Sequence, residues 1–183
     1  MNTILAFGAS SSKNSINKKL ASFVAKKIVT YEALIIDLND FEMPIYSEDR
    51  EKKDGIPKKA IYFKKLINES SGIVISLAEH NGSYTSAFKN IFDWISVIER
   101  IVWSDKPLLL LSTSDGKRGG TTVLNTALKR FSRQSKFEIP HFNLPNFYEN
   151  FSEKLGVTNY ELSKELETQI EEFKDQIDTL LHT

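Results

Sequence analysis

The sequence predicts an α/β fold, a parallel five-stranded sheet covered by helices on both faces. Three observations predict it. Short continuous apolar runs alternate with stretches in which apolar residues recur every three or four positions. The apolar runs do not alternate with polar residues, as strands buried on both faces require. Repetition of strand then helix gives right-handed crossovers and a doubly wound sheet.

The first strand is read at Thr3 to Ala6, closing at Gly8, followed by a Ser/Asn-rich loop over 9–15. A helix follows from Ile16, with Leu20, Phe23, Val24 and Ile28 at helical spacing. Ala33 to Leu38 is the second strand. Asn39 to Gly55 is polar and reads as a long connection. A helix starting near Pro57 carries Ile61, Leu66 and Ile67. Gly72 to Ala78 is the third strand, and Thr85 to Arg100 a helix with Phe88, Ile91, Phe92, Ile95 and Ile98 on its apolar face. The fourth strand is Pro107 to Ser112. After Gly119-Gly120 comes a helix with Val123, Leu124, Ala127, Leu128 and Phe131. Phe137 to Phe142 is read as a fifth strand, placed at an edge because Pro140 interrupts it. An irregular stretch over 146–158 precedes a last helix bearing Leu162, Leu166, Ile170, Phe173, Ile177, Leu180 and Leu181.

At 183 residues the chain is expected to form one domain, residues 1–183, large enough to need no disulfide or metal. It contains no cysteine, so thiolate metal sites and thiol redox chemistry are excluded. Redox work would need a bound cofactor. Lys plus Arg equals Asp plus Glu at 24 each, which argues against bulk attraction to nucleic acid or anionic lipid. No apolar run approaches a membrane span and no signal peptide is visible, so a cytoplasmic protein with no nucleic-acid or membrane partner is expected. The charge is unevenly spread. Residues 1–30 hold Lys13, Lys18, Lys19, Lys26 and Lys27 and no acid, whereas 149–183 is acidic. Two solvated helix faces explain this, and so does an anion site near the N-terminus.

In a doubly wound sheet, ligands bind beyond the C-terminal ends of the strands, near the point where strand order reverses. Three polar loops meet that condition. The first runs Ala9-Ser10-Ser11-Ser12-Lys13-Asn14-Ser15-Ile16-Asn17. A helix N-terminus with hydroxyls from Ser10, Ser12 and Ser15 and the Asn17 amide suits a phosphate; one serine serving as N-cap in an ordinary turn is the rival. Neither G-x-G-x-x-G nor the P-loop pattern is present. The second loop is Glu79-His80-Asn81-Gly82-Ser83-Tyr84. Backbone at Asn81 and Gly82 can approach a flat heterocycle, with Glu79, His80 and Ser83 at its polar edge; a turn with Ser83 as N-cap is the rival. Trp94 reads as core and Asp93 as a loop-fixing residue. His80, His141 and His182 have no metal-ligand spacing, so no metal site is expected. The third loop, Ser112 to Gly120, includes Ser114, Gly116, Lys117 and Arg118, and reads either as backbone turning beside a ligand, with Lys117 and Arg118 attracting an anionic second substrate, or as a basic surface turn.

These loops resemble the NADPH-dependent FMN reductases, a flavodoxin-like family that includes quinone, chromate and azo-dye reductases. The resemblance covers most of residues 2–145. The family's phosphate loop, G-S-x-R-x-x-S-x-N, is matched by Ser10, Ser15 and Asn17, with Ala9 and Ser12 replacing its Gly and Arg. Its P-E-Y-N-G-S-Y-P-G and L-K-N-x-I-D-W segments are matched by Glu79, Asn81, Gly82, Ser83, Tyr84, Lys89, Asn90, Asp93 and Trp94; His80, Thr85 and Ser86 depart. Ser112, Ser114, Gly116, Gly119 and Gly120 match its S-x-S-x-G-x-x-G-G loop.

The resemblance implies a three-layer αβα sandwich with strand order 2-1-3-4-5. It implies an oxidoreductase holding FMN at Ser10, Ser12, Ser15, Ile16 and Asn17, at Glu79 to Ser83, and near Ser112, Ser114 and Gly116. NADPH or NADH would be the reductant, a quinone, flavin or similar small molecule the acceptor, and no catalytic side chain is assigned. Asn17→Ala is expected to weaken FMN binding. A homodimer or homotetramer is implied, for which the apolar face of the helix from Thr85 and the stretch Phe142 to Phe151 are candidate interfaces, core packing being their alternative. A non-catalytic FMN-binding electron carrier or redox sensor is the rival function; lysines near the site argue against a carrier.

Overall fold

The computed structural model describes residues 3–181. Its centre is β1 (Thr3–Ala9), flanked on both sides by parallel partners: β2 (Glu32–Ile35) against Thr3 to Ala6, and β3 (Gly72–Leu77) against Ile4 to Ala9. Beyond β3 lie β6 (Leu108–Thr113) and β7 (His141–Leu144), also parallel. The sheet order is therefore β2-β1-β3-β6-β7, which is the expected 2-1-3-4-5 once a small hairpin, β4 (Glu79–His80) and β5 (Ser83–Tyr84), is counted separately.

Period-two side-chain alternation sends Ile4 and Ala6 to one face and Leu5 and Phe7 to the other. The first face packs on α1 (Ile16–Lys27) through Leu20 and Val24, and on α7 (Tyr160–Leu181) through Leu166, Ile170, Phe173 and Ile177. The second packs on α3 (Lys58–Glu69), α4 (Ser86–Ile98) and α5 (Thr121–Phe131), where Phe63, Phe88, Phe92 and Phe131 fill the layer. Three layers with a buried sheet result, a flavodoxin-like fold.

Several boundaries differ from the expectation, each for a physical reason. β2 stops at Ile35 because Asp37 caps a 3₁₀ turn, Leu38–Phe41, accepting from the Asn39 N–H at 2.9 Å. The long connection also contains a polar helix, α2 (Glu48–Asp54), capped by Ser47. In α3 the buried stripe runs through Ala60, Phe63, Leu66 and Ile67, and Ile61 faces solvent. The edge strand begins only after Pro140, which has no N–H to give; its carbonyl accepts from Leu110 at 3.1 Å and pairing continues at His141. The irregular stretch holds a short helix, α6 (Phe147–Asn150), and a hairpin of β8 (Phe151–Ser152) with β9 (Gly156–Val157). The apolar face of α4 and the side chains of Phe142 and Phe147 are buried in the core, so they do not present an interface.

At Gly8, β1 passes so close to α1 that a Cβ would overlap the backbone of Asn17 and Lys18. Gly8→Ala should lower the unfolding free energy by about 2–3 kcal/mol, since backbone on both sides blocks relaxation. An unchanged urea midpoint would contradict that packing.

Candidate active site

The strand order reverses between β1 and β3, and the loops after β1, β3 and β6 meet there. In the first loop each turn is closed by a hydrogen bond. The Ser10 N–H donates to the Gly8 carbonyl (2.8 Å), the Ser12 N–H to Ser10 Oγ (3.1 Å), the Ser15 N–H to the Ser12 carbonyl (3.1 Å), and the Lys18 N–H to Ser15 Oγ (3.2 Å). Ser15 is thus the N-cap of α1. Using Ser10 and Ser15 as acceptors leaves each hydroxyl hydrogen available to a ligand. The N–H groups of Ile16 and Asn17 are in the first turn of α1 and have no intrahelical acceptor. Anion-donating geometry and helix capping therefore coexist in one loop.

Asn17 does something different. Its side chain is buried and turned into the fold, accepting from Ser76 Oγ (2.7 Å) and the Thr113 N–H (3.2 Å) and donating to the Thr113 carbonyl (3.1 Å). It fastens α1 to the ends of β3 and β6, leaving one amide hydrogen.

The second loop is a two-residue hairpin. Asn81 (φ 51°) and Gly82 (φ 73°) both adopt left-handed backbone, as a type I′ turn demands. The Glu79 carboxylate is already engaged, accepting from the Val123 N–H at 3.0 Å at the start of α5. Charge against a helix N-terminus explains this choice of residue. Thr85 caps α4 by accepting from Phe88 and donates to the Ala9 carbonyl at 2.9 Å, tying the hairpin to β1. Further along α4, Asn90 and Trp94 hold the connection after the 3₁₀ turn, Asn90 donating to the Met43 carbonyl at 3.1 Å and the Trp94 indole to the Pro44 carbonyl at 2.7 Å; Asp93, expected to fix a loop, pairs instead with Lys89 one turn back on the same helix.

In the third loop Ser112 is buried and its hydroxyl accepts from Asn143 Nδ2 (2.9 Å), which also donates to the Gly119 carbonyl (2.6 Å). The carbonyls of Ser114 and Gly116 accept from the Phe147 and Asn146 N–H groups, both at 3.0 Å. Arg118 donates to Thr122 at the outer surface.

These loops enclose a cleft of about 260 Å³. Ser10, Ser12, Ser15, Ile16, Asn17, Glu79, His80 and Ser114 line it, together with Asn14, Thr113, Asp115 and Tyr148. Asn81, Gly82 and Ser83 form the exposed hairpin end outside this lining, Ser112 is buried, and Gly116 stands outside. Tyr148 was missed from sequence because it belongs to a stretch without periodicity. It reaches the cleft because Asn146 turns left-handed (φ 47°) and buried Phe147 anchors the short helix. Among the described residues, no cluster of three His, Asp or Glu gathers to hold a metal; His182 lies outside them.

A doubly wound sheet whose strand-end cleft pairs a donor-rich helix N-terminus with two glycine-bearing loops defines an α/β protein for phosphorylated cofactors. The NADPH-dependent FMN reductase family model matches residues 2–177, and the chain belongs to that family of oxidoreductases, whose chemistry runs on FMN and NAD(P)H. It is 26% identical over 167 residues to a 2-hydroxy-1,4-benzoquinone reductase of a Burkholderia species, covering 90% of this chain and 87% of that protein. Over 79 residues it is 30% identical to a quinone reductase of Escherichia coli, covering 43% and 42%. The fold is similar to that of FerB, a flavoenzyme NAD(P)H:(acceptor) oxidoreductase of Paracoccus denitrificans, with TM-score 0.75, 22% identity and 98% of both chains covered.

Asn17→Ala should destabilise the FMN-free protein by about 2–3 kcal/mol, because the Ser76 hydroxyl and Thr113 backbone are left buried without partners; denaturant unfolding measures it, and unchanged stability would remove the brace. The Tyr84 hydroxyl is buried beside Phe88 and Phe131 with no hydrogen-bond partner among the described residues, and desolvation pushes its pKa from 10.0 up to about 12. Folding therefore favours the neutral phenol, and that contribution is full below pH 10 and lost as pH rises toward 12. Tyr84→Phe should hold or raise stability at pH 7 by up to about 1 kcal/mol. It should also flatten the alkaline loss. An identical pH profile in both proteins would exclude the burial.

Proposed function

We propose that this cleft holds FMN and that the protein, as a single domain over residues 1–183, reduces a quinone, free flavin or similar acceptor with NAD(P)H. The observation that carries the reading is the first loop, where Ser10 and Ser15 accept backbone N–H groups and so keep their own hydrogens for an anion at the N-terminus of α1. That donor set fits an FMN phosphate. Ser12 and the Ile16 and Asn17 N–H groups complete it. His80 on one side and Ser114 on the other flank the ring within the cleft, and the hairpin of Glu79 to Ser83 and the backbone near Ser112 and Gly116 hold them in place. FMN when bound supplies hydride acceptance from the nicotinamide and its passage to the acceptor. The chain's residues bind and orient; none is assigned a proton-transfer role.

The β4–β5 hairpin is held by Glu79 at α5, by Thr85 at β1 and by Tyr84 in the aromatic layer, so the ring meets a rigid edge. A homodimer or homotetramer is part of the reading. The surface suited to a second copy is a groove of about 400 Å³ between the 3₁₀ turn and α4, lined by half-buried Met43 and by Ile45, which is 77% exposed. A cytoplasmic place belongs to the same proposal, as the compartment supplying its reductant.

The test is a visible spectrum under anaerobic conditions, taken on protein mixed with FMN, desalted and titrated with NADPH. Flavin absorbance should remain after desalting, bleach on titration and return with a quinone. Retained flavin that does not bleach would make the protein a carrier or sensor, and loss of flavin on desalting would overturn the tight cofactor site.

A further inference from the structure

A second cavity runs along the outer flank of α1. This groove, about 410 Å³, has Lys13, Lys19, Phe23 and Lys26 on one side and Phe151 and Glu153 on the other. It adjoins the cleft, because Asn14 and Ser15 line both. One segment also walls both: Tyr148 borders the cleft, and Phe151 and Glu153 border the groove. The cleft and the groove therefore share a rim at Asn14 and Ser15.

The groove collects the acid-free basic run of the N-terminus. Lys19, Phe23 and Lys26 recur at steps of four and three and so share a helix face. Lys26 stands about 16 Å along the axis from the N-cap at 1.5 Å per residue. Not all the lysines are neutralised. Lys18 pairs with Asp37 (2.5 Å), Lys27 with Glu167, and Lys19 with Glu153 (2.6 Å), a carboxylate 73% exposed. Lys13 and Lys26 make no ion pair among the described residues. Between them the wall is aromatic and fixed. Phe23 meets Phe151 edge to face at 5.6 Å, and Gly156 packs under Phe23 so closely that a Cβ there would overlap the ring.

Resting on the reading of the cleft as an FMN site served by NAD(P)H, we infer that this groove takes the phosphorylated adenosine end of NADPH. Lys13 and Lys26 meet its phosphates and the Phe23–Phe151 wall packs its adenine. Selection of NADPH over NADH then resides on α1. It does not reside on Lys117 and Arg118 of the third loop, where the Arg118 guanidinium turns to Thr122.

Calorimetric titration of the FMN-loaded protein with 2′,5′-ADP and with 5′-AMP tests this, since neither probe can reduce flavin. The 2′,5′-ADP should bind at least about tenfold tighter than 5′-AMP, reflecting one added phosphate on charged partners. Lys26→Ala, at an exposed helix position that leaves folding intact, should weaken 2′,5′-ADP about fivefold, Lys26→Arg should recover most of it, and the KM for NADPH should rise relative to that for NADH. Equal binding of the two probes, or 2′,5′-ADP binding indifferent to Lys26→Ala and lost in Arg118→Ala, would overturn the groove. With FMN retained and bleached by NADPH in the same preparation, that result leaves the cleft standing. Loss of FMN on desalting overturns the cleft and the groove together.

Discussion

The buried side chain of Asn17 is the constraint on which the rest of the site depends. Parallel strands end in backbone groups that their neighbours no longer satisfy, and here the ends of β3 and β6 must also sit against a helix start. One carboxamide resolves this. Its oxygen takes the Ser76 hydroxyl and the Thr113 N–H, and its nitrogen gives to the Thr113 carbonyl. The residue type follows from the need for a donor and an acceptor on one short side chain; an aspartate would bring an unpaired charge into the interior. Gly8 is the complement of this brace, since only a residue without a Cβ lets α1 come close enough for Asn17 to reach.

From that brace the three loops inherit fixed starting points. The first closes its own hydrogen bonds and still has hydroxyl hydrogens to offer. The second is clamped through Glu79, Tyr84 and Thr85 to α5, the aromatic layer and β1 respectively. The third is tied by Asn143 and by the α6 backbone. The site is thus preorganised by hydrogen bonds to the scaffold, which lowers the ordering cost of binding. Several side chains that sequence motifs suggest as ligand contacts, Asn17, Glu79 and Ser112 among them, are committed to this scaffold.

Much of this was legible in the sequence. Apolar runs and helical spacing located the sheet strands and the helices that cover them, because burial on two faces leaves a strong signal. Three polar loops after strands located the cleft. The Asn81-Gly82 pair carries a hairpin signal in its turn chemistry, and the cap of the following helix is Thr85, two residues beyond the Ser83 that the turn reading favours. Less was legible where local rules compete. Pro140 moved the edge strand by removing a donor, and Asp37 ended β2 early by capping a turn. Ile61 lies off the buried stripe of α3, which passes through Ala60, Phe63 and Ile67. Tyr148 reaches the cleft through a left-handed Asn146 and a four-residue helix, features without periodicity. The direction of a polar side chain, inward like Asn17 or toward a ligand, cannot be read from its type.

In the proposed function the α1 N-terminus and the serine hydroxyls of the first loop hold the phosphate of FMN. Calorimetric titration of the cofactor-free protein with FMN and with riboflavin, which lacks only the phosphate, tests it most directly. FMN should bind at least about a hundredfold tighter, the weight of two or more charge-assisted hydrogen bonds. Equal affinity for the two flavins would contradict it.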